Sequence, residues 1–325
     1  MKDRLLRVRQ NSKTGYIDTT GKIVIPCQFD GGSGFSEGLA AVEVDGKDGY
    51  INTKAELVIP IQFERAASFC EGLALVVVDN QYGYIDKKGD LVIPPQFVYD
   101  RDHLFSNLED NRFHQGRALY KIDGKYGYID SSGNQVIPPK FDDVSPFSEG
   151  LAAVRKGEKV GYIDKDGQVV IPYQFENPGL MNTIIEIFGT GFFEGLAKVI
   201  INGKAGYINP SGEIVIEPQF NEALAFREGL AGVKVRGKYG FIDKTGKIVI
   251  EPQFILVNCF SEGLASITTS YTGRCNGYID KTGDIVIPPQ FDSGVDFKCG
   301  VASVSVDSKE GYINKKGEYI WEPTQ

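Results

Sequence analysis

The stretch Gly127-Tyr128-Ile129-Asp130-Ser131-Ser132-Gly133-Asn134-Gln135-Val136-Ile137-Pro138 decides the architecture, because near-copies of it occur nine times in the 325 residues, opening at Gly15, Gly49, Gly83, Gly127, Gly161, Gly206, Gly240, Gly277 and Gly311. The intervals are 34, 34, 44, 34, 45, 34, 37 and 34 residues, so 34 is the unit and three intervals carry insertions. A fixed internal period of this length is the mark of a repeat array rather than of one globular core. Around the quoted stretch each unit holds three short segments. Segment A is typified by Leu230-Ala231-Gly232-Val233-Lys234-Val235, segment B by Gly240-Phe241-Ile242-Asp243, and segment C by Lys247-Ile248-Val249-Ile250.

Segment A alternates with period two, Ala40, Val42 and Val44 on one side and Ala41 and Glu43 on the other, which predicts a strand with one buried face. Segment C is an unbroken β-branched run, such as Ile214-Val215-Ile216, which predicts a strand covered on both faces. No stretch sustains a helical period, so the chain is all-β. Between B and C most units read Asp-x-x-Gly or Asn-x-x-Gly. A type I turn wants an acceptor side chain first and glycine fourth. Asn52, Asn209 and Asn314 keep the acceptor and lose the charge, so the turn explains these positions better than a metal or acid site does. Asp123-Gly124-Lys125 and Arg236-Gly237-Lys238 read as hairpin turns between A and B. Segment C then runs into proline and phenylalanine, as at Pro26 to Phe29. A connector leads to Phe-x-Glu-Gly, as at Phe147 to Gly150, and the paired phenylalanines are expected to plug the space between units. Glu37, Glu71, Glu149, Glu194, Glu228 and Glu262 recur there, with Gln115 and Cys299 as replacements, which favours a local hydrogen bond over catalysis.

Lys125-Tyr126-Gly127-Tyr128-Ile129-Asp130, with Val136-Ile137-Pro138 and Phe147-Ser148-Glu149-Gly150-Leu151-Ala152, resembles the bacterial WG (KWG) repeat. The resemblance extends over essentially the whole chain. The tryptophan that names the family would precede the glycine; here that place holds Tyr82, Tyr126 and Tyr239, or Thr14, Asp48 and Ala205. The resemblance implies a β-repeat fold and an interaction role, and it carries over no catalytic residue.

Units are expected near residues 5–29, 39–63, 73–97, 117–141, 151–175, 196–220, 230–254, 264–291 and 301–325 of a single repeat domain, 1–325. One unit of this size buries too few apolar side chains to offset the cost of ordering it, so units must lean on their neighbours. An open superhelical stack of nine three-stranded antiparallel meanders is favoured. A β-propeller is the alternative, disfavoured because its blades usually have four strands. The last unit, Tyr319 to Gln325, has Gln325 where others have phenylalanine, as expected of a terminal layer. Trp321 there aligns with Ile287 and is expected to cap the core.

With 42% apolar and 24% charged residues the chain reads as ordinary and folded. The net charge of −8 argues against nucleic acid as a partner. Five scattered cysteines without a C-x-x-C pair indicate neither a disulfide framework nor zinc. The N-terminus lacks the apolar core of a signal peptide and no run could span a bilayer, so no membrane association and a cytoplasmic location are expected.

Breaks in the repeat are where a particular function can reside. They are 98–116, which holds both histidines, 176–192, and the lengthened A–B turn from Thr268 to Asn276. Loops on a rigid scaffold are common binding elements. Tyr99, Arg101, His103, His114, Met181, Asn182, Tyr271 and Arg274 are therefore the candidate partner-binding residues. Two histidines without a nucleophile motif or HExxH spacing are weak evidence of an enzyme, and no catalytic residue, metal or cofactor is expected. The leading expectation is a non-enzymatic scaffold binding a protein partner. A glycan-binding role, with Tyr82, Tyr126 and Tyr239 as an aromatic surface, is the alternative from another class. A bacterial defence or toxin-neutralising role is suggested only by the family's distribution.

Overall fold

The computed structural model describes residues 5–99, 108–177 and 190–324. It contains nine antiparallel sheets, and apart from one 3-10 turn at Leu108–Asn111 every described element is a strand. Segments A, B and C form a meander in each unit. In the second unit A is Leu39–Val44, B is Lys47–Asn52 and C is Leu57–Phe63.

The three-stranded expectation is incomplete. Six of the nine sheets have a fourth, two-residue strand that precedes A and pairs with it, such as Gly31–Gly32, Arg65–Ala66 or Glu222–Ala223. The three sheets without it include those that follow the insertions 98–116 and 176–192. A four-stranded meander is the blade of a β-propeller. Of the two architectures weighed from the sequence, the blades therefore support the propeller and not the three-stranded open stack. Residue contacts divide the chain into two compact units, Met1–Gly157 with Ile163–Val169, and Glu158–Tyr162 with Val170–Gln325.

Burial along the strands reverses the sequence expectation. Segment A is buried on both sides over its first half: Ala40, Ala41 and Val42 are all inaccessible, as are Ala231 and Val233. Segment C is instead an edge strand whose first two residues are half exposed and whose third is buried. Ile59, Ile93, Ile250 and Ile287 are these third residues. Small residues in segment A pack on both faces, whereas an edge strand keeps β-branched residues for their strand propensity even when half wet, so neither pattern reports which face is covered.

The turns form as their chemistry dictates. Asp243 Oδ1 accepts from the amides of Thr245 and Lys247, and Gly246 donates to the Asp243 carbonyl. Asn52 Oδ1 holds Lys54 and Glu56 in the same way without a charge. Seven of the nine A–B hairpins have positive φ at both central residues, such as Asp123 at 50° and Gly124 at 76°, the type I′ geometry that matches strand twist. The glycine of the repeated Gly-Tyr pair answers a different need. A Cβ on Gly83 would lie 2.3 Å from the Ile93 carbonyl oxygen, because the B–C register shifts there and brings the backbones together.

Between blades the core is built from one repeated joint. The tyrosine of segment B stacks on the phenylalanine of the connector to the next blade, Tyr16 on Phe35, Tyr50 on Phe69, Tyr128 on Phe147 and Tyr207 on Phe226, with centroids 4.8–4.9 Å apart. Each of these hydroxyls donates to a main-chain carbonyl 17 residues on: Ser33, Ala67, Ser145 and Leu224. Burial without such an acceptor would cost each hydroxyl its hydration. The connector phenylalanine thus plugs the inter-unit space as expected, with tyrosine as a partner the sequence reading had not assigned. Trp321 pairs in register with Tyr312 and is only partly buried.

Candidate functional site

The recurring glutamates were the most suggestive repeated acids, and they do not make local bonds. Each stands before glycine in a tight two-residue turn with positive φ, Glu228 at 53° and Gly229 at 86°, closed by paired bonds between Arg227 and Leu230. The carboxylates of Glu37, Glu71, Glu194, Glu228 and Glu262 reach the equivalent turn of the following blade. Glu71 accepts from the amides of Gln115 (2.6 Å) and Gly116 (2.7 Å), and Glu228 from Gly263 (3.0 Å). Glu194 takes Glu228 and Gly229, and Glu262 takes Cys299 and Gly300. A lysine from the B–C turn of the following blade completes the clasp: Lys87 on Glu37 (2.9 Å), Lys244 on Glu194 (3.2 Å), Lys281 on Glu228 (3.1 Å) and Lys315 on Glu262 (3.2 Å). Partial burial pulls the carboxyls of Glu194, Glu228 and Glu262 upward, but the lysines and amides outweigh it and hold all three below the ordinary range. Gln115 does the same task uncharged, its Oε1 accepting from Gly150 at 2.9 Å. The bonds span 34–45 residues, out of reach of a reading that looked for a partner nearby.

The proposed aromatic surface is not present at the positions named for it. Tyr82, Tyr126 and Tyr239 are only 5–6% exposed. They face the phenylalanine that ends segment C: Tyr82 pairs with Phe97, Tyr126 with Phe141 and Tyr239 with Phe254. Lys121 and Lys234 lie over the rings of Tyr126 and Tyr239, and the Tyr239 hydroxyl meets the Glu222 carboxylate. These rings are filling for the blade edge.

Of the candidate partner-binding residues, Arg101, His103, Met181 and Asn182 lie outside the described residues. Tyr99 packs half-buried against the core of its blade, and its amide donates to the Asn80 carbonyl. His114 is half-buried in a turn closed against Arg117, and burial together with Arg112 pushes its pKa down. Tyr271 is 84% exposed at the tip of the lengthened turn, and Arg274 pairs with Asp307 at 2.7 Å. The structure brings Tyr271 and Arg274 onto one turn, and it assembles no wider site from the described members of the set.

Two features escaped the sequence reading. The first is a row of exposed aliphatic pairs at the start of segment C. Ile23-Val24, Leu57-Val58, Leu91-Val92, Val169-Val170, Ile214-Val215, Ile248-Val249 and Ile285-Val286 are 38–55% exposed. Only the position of C at the sheet edge makes them so. The second is a cavity of about 530 Å3 beside Asp48, within the first of the two compact units into which contacts divide the chain. Its signal was in the sequence only in part, an acid where three sibling blades carry tyrosine and the others Thr14, Val160, Ala205, Asn276 or Glu310. Among the described residues no group of three or more His, Cys, Asp or Glu is placed to hold a metal ion, and all five cysteines are unpaired. No described helix is long and apolar enough to cross a membrane.

A sequence profile described as a WG containing repeat matches residues 15–47, 49–82, 82–99, 126–159, 161–178, 206–239, 239–269 and 277–309. Among curated proteins none matches the chain. Among solved structures, one titled as the crystal structure of the eukaryotic initiation factor is similar over 100% of this chain and 98% of its own, at 12% identity and a TM-score of 0.67. At that identity the likeness shows the fold alone. The dihydro-heme d1 dehydrogenase NirN, in complex with DHE, covers 98% of this chain and 72% of its own at 13% identity, with a TM-score of 0.48.

Proposed function

The chain belongs to the family of WG-containing repeats, and from that premise we propose that it is a non-enzymatic scaffold that binds another protein across several blades. The observation that carries this reading is the row of half-exposed aliphatic pairs on the edge strands. The same two positions offer apolar surface in seven of the nine units, while the repeated polar positions are occupied in turns and clasps. Single exposed apolar residues are ordinary on a folded surface, whereas a repeated set at one structural position supports a contact surface. Edge strands also leave main-chain groups for a partner to address. Tyr271, on the one lengthened hairpin that is described, is a second contact element on the same scaffold.

The test replaces the pairs of two adjacent blades, Ile214-Val215 and Ile248-Val249, by threonine and compares partner capture from the native cell with capture by a Tyr271→Ala variant. The scaffold reading expects the fourfold variant to melt within a few degrees of the parent and to lose its partner. Equal capture by the parent and the fourfold variant would remove the edge strands from the proposal.

A further inference from the structure

The edge strands of the sixth, seventh and eighth blades, all within the second compact unit, adjoin one another. Gly246 stands two residues before Ile248, and a Cβ on it would lie 3.1 Å from Ile216 Cγ2 of the blade before. Gly283, two residues before Ile285, rests on Ile250 in the same way, also at 3.1 Å. These seats place the half-exposed pairs Ile214-Val215, Ile248-Val249 and Ile285-Val286 side by side, as one apolar run across three blades. Scattered exposed aliphatics need no explanation, whereas a contiguous run marks a contact surface.

Two of these edges differ from their siblings. Position four of segment C is Glu217 in the sixth blade and Glu251 in the seventh. Six of the other seven blades carry proline there, Pro26, Pro60 and Pro288 among them, and the ninth carries Glu322. Alternation along the strand puts Glu217 on the exposed face of Val215, and Glu251 on that of Val249. Both carboxylates are exposed, and among the described residues neither has an ion-pair or hydrogen-bond partner. Lys244 and Lys281 are engaged by Glu194 and Glu228. At the turn end of the pairs Lys247 stands against Glu213 and Asp284, so four acids and one further base border the run. Pro218 and Pro252 follow the two glutamates and each removes a main-chain donor from the edge, which disfavours an added strand.

An apolar run bordered by unpaired acids, where strand addition is disfavoured, complements a helix whose aliphatic face is flanked by Lys or Arg. We infer that the edges of the sixth to eighth blades are the docking surface for a basic amphipathic helix of a partner protein. Its aliphatic side chains lie on the three pairs and its cations meet Glu217 and Glu251. This docking rests on the scaffold reading and adds the partner's chemistry to it. The aliphatic contacts supply most of the affinity, because exposed ion pairs contribute little. The acids decide which helix is accepted and speed the encounter.

The probe is a synthetic helix of about 18 residues with Leu on one face and Arg on both flanks, titrated with the full chain at low salt and followed by fluorescence anisotropy. A second peptide carries Glu in place of Arg. The arginine peptide is expected to bind, less tightly as salt rises, and the glutamate peptide not. Glu217→Gln combined with Glu251→Gln should weaken the arginine peptide about fivefold. Asp79→Asn combined with Asp123→Asn takes two charges from hairpins of other blades and should leave the affinity of the parent, which separates docking from general attraction to an acidic chain. No binding of the arginine peptide at ~1 mM, unchanged affinity in the double glutamine variant, or equal losses in the two double variants would each overturn the docking. If the threonine variant of the edge pairs still lost the native partner, the scaffold reading would stand without it. A parent that elutes as a dimer, with the threonine variant a monomer, would assign the surface to a second copy of the chain and overturn the helix.

Discussion

The tyrosine–phenylalanine joint can be tested by a pair of reciprocal substitutions, because one blade already lacks the hydroxyl. Tyr128 is fully buried, its ring lies 4.8 Å from that of Phe147, and its hydroxyl donates to the Ser145 carbonyl at 2.8 Å. The seventh blade keeps the ring pair, Phe241 on Phe260 at 4.8 Å, without a hydroxyl. Tyr128→Phe preserves the stacking and removes a buried donor, leaving the Ser145 carbonyl short of a partner. A net hydrogen bond contributes about 0.5–1.5 kcal/mol, and an unsatisfied buried acceptor brings the loss to about 1–3 kcal/mol. The natural phenylalanine in the seventh blade shows that the framework tolerates the missing group, which places the expectation near 1.5 kcal/mol. Phe241→Tyr should restore the bond, since the acceptor 17 residues on would be the Asn258 carbonyl, by analogy with the spacing from Tyr128 to Ser145. That substitution is expected to be neutral or to stabilise by about 1 kcal/mol. Urea unfolding followed by circular dichroism would measure both, with the unfolding slope checked for constancy, since repeat arrays can lose two-state behaviour. A neutral Tyr128→Phe together with a clearly destabilising Phe241→Tyr would refute the hydroxyl's part in the joint and leave ring packing as the whole of it.

Further expectations follow from the clasps, turns and close approaches. Because the carboxyls of Glu194, Glu228 and Glu262 are depressed in the folded state, their contribution is fully present above the unfolded carboxyl range, about pH 4.5, and is lost as pH falls through the lower folded values. Each partly screened clasp is worth under about 1 kcal/mol. Melting temperature should decline on acidification below that pH, and Glu228→Gln, which imitates Gln115, should flatten the decline in a pH series of thermal melts. Asn52→Asp should change stability by only a few tenths of a kcal/mol, whereas Asn52→Ala loses the acceptor for two turn amides and should cost about 1 kcal/mol in the same unfolding assay. Gly83→Ala drives a methyl into the Ile93 carbonyl and should cost roughly 3 kcal/mol. Gly72→Ala meets open space, and only its positive φ of 83° opposes it, at about 1–2 kcal/mol. Equal costs for the two glycines would contradict the close-approach argument.

The sequence by itself determined what is encoded within a few residues: nine units, the order of segments, the Asp and Asn turns, the hairpins, and the membership carried by Gly127-Tyr128-Ile129-Asp130 and its copies. Those features rest on backbone chemistry between near neighbours, such as Asp243 holding Thr245 and Lys247, so spacing along the chain reveals them. The tertiary structure decided whatever depends on which strand lies at an edge and which side chain meets the next blade. A two-residue strand such as Gly31–Gly32 has no sequence signature, yet it turns a three-stranded layer into a propeller blade. Ile248 and Val249 look buried by composition and are half exposed because segment C is outermost. Glu228 looks local and reaches 35 residues ahead. Asp48 reads as one of several residues at a variable position until its strand partner, Glu43, and the space around both are seen. The physical reason is the same in each case: burial and long-range pairing belong to positions in space, and a period in sequence fixes only the positions that repeat.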